Sequence, residues 1–291
     1  MTNFSLVLLS IAYIVESTTT IAAENIRVLI VDGQNNHEWK ITTPLMTRFY
    51  EESGRFTVEV ATSPPYRHDM NRFKPCFANY DVVVCNYNGD RWSQEMESSF
   101  QSYVHSGGGI VTVHAANNSF PDWPEYNEMI GLGGWRGRNE KSGPYIYFSD
   151  STQVRDYSPG RGGNHGSQHE FQVETRSPNH PIMRGIPKVW LHTKDELYGQ
   201  LRGPAKNIEI LATAYADPKQ QGTGRGEPIL MTVRYGRGRV FHTVLGHTYY
   251  SMNCVGFVTT LLRGTEWAAT GEVTIPVLNN FPTANKSQTL D

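Results

Sequence analysis

The stretch IRVLIV, residues 26–31, constrains the fold more than any other part of this chain. Apart from Arg27 it is apolar without interruption, so its side chains do not alternate between a wet face and a dry one. A strand of that kind is buried on both faces, which a parallel sheet covered by helices provides. The next segments repeat the theme. The polar segment DGQNNHEW leads into a helical pattern through Phe49 and Tyr50 that stops near Gly54, and FTVEVAT is a second strand. DVVVCNY, residues 81–87, is a third. Ser93 then caps a helix with Met96, Phe100 and Val104 on one face, ending at Gly107. GIVTV, residues 109–113, is a fourth strand, leading to a helix that carries Tyr126 and Ile130. Alternation of this sort makes right-handed βαβ units and an α/β fold: a parallel sheet with helices on both faces.

From Gly131 to about Tyr198 the alternation breaks into a stretch rich in Gly, Pro, Arg and His, read here as an elaborated insertion of loops and short strands such as EFQVET. NIEILATA, PILMTVRYG and GRVFHTVL return to strand character, with YGRG as a hairpin turn between the last two. A final helix is expected over residues 251–269, with Phe257, Leu261 and Leu262 on its apolar side. No linker separates two cores, so residues 24–275 form one domain. The tail NNFPTANKSQTLD, within 276–291, reads as disordered. At the other end, the apolar run from Phe4 to Val15 is too short to span a bilayer and precedes a small-residue Ile-Ala-Ala site before Glu24. That is the layout of a signal peptide over residues 1–23, although its n-region has no Lys or Arg. It predicts a periplasmic or secreted protein with no membrane span once the leader is removed.

With 26 Lys+Arg against 28 Asp+Glu, bulk electrostatics do not favour nucleic acid or an anionic membrane as a partner. The partner is a small molecule, neutral or read by local groups. Cys76, Cys85 and Cys254 cannot all pair within one chain and fit no zinc-knuckle or redox spacing; Cys85 reads as a buried small hydrophobe.

In open parallel sheets, ligands bind beyond the carboxyl ends of the strands. Asp32, Asn36, His37 and Trp39 follow the first strand; Asn86, Tyr87, Asn88 and Asp90 the third; His114, Asn117 and Asn118 the fourth. Three strand ends thus bring polar and aromatic side chains to one rim, as a polyol pocket requires. His114 closes the run GGGIVTVH, where a tight strand-to-helix turn presents its side chain outward. No G-x-S-x-G or cysteine variant is present, which speaks against covalent acyl transfer there. NHGSQHEF holds His165 and His169 four apart, but Gly166 and Ser167 disfavour a helix, and His169 starts a strand. His180, before a proline in SPNHPIM, suits either loop capping or a ligand contact. In LHTKDELYG, Asp195 or Glu196 could orient a histidine or act as a base. His242 lies within an apolar strand, as a structural histidine would, whereas His247 comes after a glycine just before the last helix and can face the same rim as His114.

The separated motifs GGGIVTVHAANNSFPDWPEYNEMIG, HPIMRGIP, DELY and YGRGRVFHTVLGH, with GFVTTLLRGTEWA after them, resemble the ThuA-like family, named for trehalose utilisation. The resemblance runs from about Ile26 to Ala269. It implies a flavodoxin-like sheet similar to class I glutamine amidotransferases. In those relatives the elbow carries a nucleophilic cysteine; here the place holds His114 and Ala115, so amidotransferase activity does not carry over. The family association is with disaccharide and keto-sugar catabolism. Family motif positions matched here are His37, His114, His169, His180, Asp195, Glu196 and His247.

The leading expectation is an exported carbohydrate enzyme acting on a disaccharide-derived or 3-keto sugar: an isomerase, lyase or hydrolase using histidine and carboxylate acid–base chemistry. Its catalytic candidates are His114, His169, Glu196 and His247. Its substrate-binding candidates are His37, Trp39, Asn86, Asn117, His180 and Asp195. A divalent metal such as zinc is an option, with His37, His114, His169 and His247 as candidate ligands. The alternatives are a non-catalytic carbohydrate-binding module using Trp39, Tyr87, Trp92, Trp123 and Trp135, or an interaction scaffold without a pocket.

Overall fold

The structure, a computed structural model, describes Met1 and residues 25–290. Apart from Met1, the signal peptide expected over 1–23 lies outside the described residues. In chain order the elements are β1 (Ile26–Asp32), α1 (Trp39–Glu52), β2 (Phe56–Thr62), β3 (Val82–Cys85), α2 (Gln94–His105), β4 (Gly109–Val113) and α3 (Pro124–Ile130). The insertion supplies β5 (Tyr145–Ser149), β6 (Thr152–Asp156), β7 (Asn164–His165), β8 (His169–Thr175), β9 (Val189–Asp195) and β10 (Tyr198–Gly199). The chain then forms β11 (Ile208–Tyr215), β12 (Gly226–Tyr235), β13 (Gly238–Thr243), α4 (Tyr249–Met252) and α5 (Val255–Thr270).

The expected α/β core is present. Strands β2, β1, β3, β4 and β13 lie side by side, all parallel, in the 2-1-3-4-5 order of flavodoxin-like sheets. Beyond β13 the sheet continues antiparallel through β12, β11, β8 and β9, so it is mixed rather than wholly parallel. The cause is the YGRG turn: a hairpin can only pair its strands antiparallel. The run in β1 is apolar because both faces are covered. Val28 and Ile30 enter one core, with Leu45, Met46, Phe257 and Leu261; Leu29 and Val31 enter the other, with Met96, Phe100 and Tyr126. No helix among the described residues is long and apolar enough to cross a membrane.

Three local expectations differ from the structure. The third strand ends at Cys85, freeing the next residues to turn over the strand ends. The final helix is split: α4 stops at Met252, and α5 starts at Val255 with Cys254 out of helical conformation between them. The tail after 275 is also ordered against the domain. Phe281 meets the Trp190 ring edge-on at 5.4 Å. Backbone bonds run from Leu191 N to Thr283 O, Val255 N to Gln288 O and Leu290 N to Asn253 O. Its polar composition conceals these few apolar anchors and the unpaired backbone groups it satisfies.

Candidate active site

The carboxyl ends of β1, β3, β4 and β13 open into a polar cavity of about 620 Å³ beside the switch in strand order. At its floor are His37 after β1, Glu196 after β9 and His247 after β13, and the buried His114 after β4 completes a cluster of four side chains with them. One donor atom from each lies within 4.8 Å of all the others. Glu196 Oε2 stands 2.9 Å from His247 Nδ1, 3.6 Å from His114 Nε2 and 3.9 Å from His37 Nε2. The three imidazoles meet edge to face, with centroids 4.5 to 5.4 Å apart.

Each ring is set by a bond behind it. His114 Nδ1 donates to Val244 O at 2.6 Å, which leaves the Nε2 lone pair facing the cluster. His37 Nδ1 donates to Asn35 Oδ1 at 3.2 Å, and the same oxygen accepts the His37 backbone N–H. His114 also has φ +46, a left-handed conformation that suits the strained elbow its glycine-rich lead predicts. His114 Nε2 and His247 Nδ1 are buried without a hydrogen bond of proper geometry. Two buried ring nitrogens converging on a carboxylate, yet aligned with no donor, fit a cation at the common point, and His and carboxylate suit a borderline ion such as zinc. The cluster is a candidate metal site with His37, His114, Glu196 and His247 as its ligands.

The electrostatics follow from this crowding. Burial would raise the Glu196 pKa, but the three imidazoles outweigh it and hold the carboxyl well below its usual range. Burial lowers the pKa of His37. For His247 burial acts the same way, but Glu196 and Asp195 overcome it and its pKa is raised.

Asp195 lies behind the cluster rather than in the cavity, so its expected role in substrate binding is corrected. It is wholly buried, and each of its oxygens accepts twice. Oδ1 takes the N–H of Glu196 at 2.9 Å and of His247 at 3.1 Å; Oδ2 takes Gly246 N–H at 2.8 Å and His192 Nε2 at 2.9 Å. It therefore positions two ligands through their backbones. Asn86 is likewise one step removed: its Nδ2 donates to Thr42 and Thr43, and its Oδ1 accepts from Asn35, the residue that orients His37. Asn117 Nδ2 donates to His242 Nε2 at 3.1 Å, and His242 Nδ1 donates to Ile130 O. Burial lowers the His242 pKa to about 4, so it is the neutral structural histidine expected of it.

Three other assignments do not hold. His169 is outside the cluster, with Nδ1 on Ser167 O at 2.7 Å and its ring against Phe171. His180 accepts from Ile182 N and packs on Trp267, a local cap near α5. Trp39 lines a separate groove with Asp32, Lys40, Thr43 and Val60. In each case the residue type suits ligand chemistry, but alternation along β8, a place in the turn between β8 and β9, or position on α1 turns it elsewhere.

The cavity takes its other walls from Asn36, Glu38, Asn88, Asn118, Trp135, Arg136, His165, Tyr198 and Thr248. His165, not His169, is the insertion's contribution: its Nδ1 is 3.9 Å from Glu196 Oε1, and its side chain is 42% exposed. The Tyr198 ring lies 4.2 Å from that of His114. Trp135 and Arg136 could have been found from GGWRG, since a glycine-flanked turn displays the side chains it carries.

Similarity to other proteins extends over nearly the whole of this architecture. The family model described as trehalose utilisation matches residues 27–268. A crystal structure of a ThuA-like protein from Parabacteroides merdae is 47% identical with a TM-score of 0.89, covering 92% of this chain and 98% of that one. A second, from Bacteroides uniformis, is 19% identical with a TM-score of 0.60, covering 86% and 93%, and shows the shared fold alone. No curated protein matches the chain.

Proposed function

This chain belongs to the ThuA, or trehalose utilisation, family, whose fold is glutamine amidotransferase-like, and from that premise we propose an exported, metal-assisted enzyme acting on a disaccharide-derived or 3-keto sugar. The observation that carries the reading is the convergence of three imidazoles and Glu196 at the floor of a polar cavity. His114 and Ala115 stand where an amidotransferase would need its nucleophile, so chemistry at this elbow is not acyl transfer. A divalent ion bound by His37, His114, Glu196 and His247 would polarise a carbonyl or hydroxyl oxygen of the sugar.

The chain's own groups supply the proton chemistry. His165 is the imidazole at the cavity that the four-donor set does not use. Its Nδ1 faces Gly166 O at 3.0 Å, which fixes the tautomer and leaves the Nε2 lone pair to take a proton from the carbon beside a sugar carbonyl. Removal of such a proton opens isomerisation and elimination alike; return of the proton to a leaving oxygen completes a lyase cycle, and addition of water across the double bond so formed would make the net reaction a hydrolysis. Export rests on the apolar run Phe4 to Val15 and the small-residue site before Glu24.

The test is consumption of 3-keto-trehalose, monitored by NMR with zinc-loaded protein. Turnover that disappears in Glu196→Gln and falls at least a hundredfold in His165→Asn supports the reading. A zinc-loaded protein that leaves a panel of keto-sugars unchanged contradicts it.

A further inference from the structure

Two carboxamide oxygens in the cavity wall have no partner. Asn88 is 3% exposed and Asn118 6%, and the Oδ1 of each is buried without a hydrogen bond. The rest of each residue is held. Asn88 Nδ2 donates to Asn36 Oδ1 at 2.6 Å, and its carbonyl accepts from Tyr66 Oη and Arg136 Nη2. The Asn118 carbonyl accepts from Arg138 Nη1 at 3.1 Å, and its side chain faces the Tyr198 hydroxyl. The Asn88 nitrogen is committed, and the two oxygens are buried acceptors awaiting donors. Buried acceptors are satisfied in nearly all native proteins, so a group that supplies hydrogens belongs there.

Beside them the chain has built an aromatic platform at a cost in backbone strain. Trp135 and Arg136 are consecutive left-handed residues, with φ +53 and +47. Strain of this kind persists only where the surroundings impose it. Trp135 N bonds Gly162 O at 2.8 Å, and the indole lies so close over Gly163 that a Cβ there would fall 2.7 Å from the ring. Tyr198 braces the indole edge-on at 4.6 Å. Arg138, buried and paired with no carboxylate among the described residues, ties the parts together: its guanidinium donates to Asn118 O, Ser119 O, Gly134 O and Asn127 Oδ1. The platform and the Asn118 acceptor are thus one rigid unit.

We infer that Trp135, Asn88 and Asn118 form a subsite for an uncharged ring with one apolar C–H face and hydroxyl donors at its edge, a pyranose. This deepens the sugar reading above and rests on it. A carboxylate or phosphate would offer these oxygens only further acceptors. A flat heteroaromatic ring without N–H groups would stack but leave both unfilled. A pyranose presents C–H groups to the indole face and O–H groups to both carboxamides. In this role Trp135 sets which face of the sugar lies down, and the two asparagines set which hydroxyls must be present, leaving the ring's far side toward the histidine cluster.

The test uses the full chain loaded with zinc and titrated calorimetrically with methyl α-D-glucoside and its 2-, 3-, 4- and 6-deoxy analogues. At least two deoxy sugars are expected to bind ten- to a hundredfold more weakly, because each leaves a buried acceptor unfilled. Asn118→Leu should abolish the discrimination at one of those positions and Asn88→Leu at the other. If a leucine variant fails to fold, Asn118→Asp or Asn88→Asp takes its place, keeping the acceptor and therefore the discrimination. Trp135→Ala should weaken every sugar at least tenfold while zinc stoichiometry stays as in the unsubstituted protein. Equal affinity for all deoxy sugars, or unchanged binding in Trp135→Ala, overturns the subsite. Zinc bound without any sugar bound also overturns it and leaves the metal cluster standing. Sugar bound and read through these residues, in a protein that takes up no zinc, supports the subsite and removes the metal from the proposed function.

Discussion

Replacing Asp195 with Asn is the most informative single perturbation of the structure behind the site. All four acceptor positions of the carboxylate are used: His192 Nε2 and Gly246 N on Oδ2, Glu196 N and His247 N on Oδ1. An asparagine keeps one oxygen and turns the other into an NH2 donor. Whichever way it is rotated, that donor faces two N–H groups, and two buried donors lose their partner. Either choice also removes the carboxylate charge from His192. Burial opposes charge on that ring, but the Cys254 sulfur and Asp195 overcome it and hold its pKa up at about 9. Breaking a buried pair of this kind costs about 3–5 kcal/mol, and a chain of this size then melts roughly 10 °C lower. The same change loosens the backbones that place Glu196 and His247, so zinc affinity should fall about 10- to 100-fold. Thermal melts of the metal-free protein and competition titration with a chromophoric chelator measure the two effects separately. A variant within about 1 kcal/mol of the parent in stability, with unchanged zinc affinity, would refute the positioning role of Asp195.

Three other outcomes are expected of the same structure. Burial raises the Glu227 pKa from 4.5 to about 7, against bonds from Thr223 and Gln200. The folded protein therefore holds this proton more tightly than the unfolded chain. Its contribution is full below about pH 4.5 and is lost as pH rises through 7, a change of about 3 kcal/mol. Glu227→Gln should flatten that part of a denaturation profile measured from pH 4.5 to 8. His169→Ala and His180→Ala should bind zinc as the parent does, whereas alanine at His37, His114 or His247 should reduce binding at least tenfold in the same titration. Ending the chain at residue 280 removes Phe281 from Trp190 and three backbone bonds to residues 191, 253 and 255. A melt should show a loss of several degrees, and an unchanged midpoint would restore the disordered tail.

Much of the fold was legible because its signals are local. The two-faced apolar run of β1, the Ser93 cap and the glycine-rich lead into His114 each depend on a few adjacent residues. The mixed sheet was less so, since the crossing of β8, β9 and β11 onto the β12–β13 hairpin is decided by pairings between residues far apart in sequence. The site divides the same way. His37, His114 and His247 sit at strand ends, and the strand-end rule finds them; Glu196 came from its motif. His169, not His165, matches a family motif position in NHGSQHEF, and only the pairing of β7 with β10 brings His165 to the cavity. Asn86 and Asn88 show the limit at finer scale. They are two residues apart beyond one strand, yet one braces α1 and the other lines the cavity, a distinction set by the hydroxyls of Thr42 and Thr43.

The central claim is that His37, His114, Glu196 and His247 act together as a metal centre. Its most direct test is the metal content of residues 24–291, purified without a chelator or a histidine tag and dialysed against zinc. The expected result is one zinc per chain, lost in His114→Ala and in Glu196→Gln but kept in His169→Ala. A protein that takes up no divalent ion, or one whose zinc survives loss of both His114 and Glu196, would contradict it.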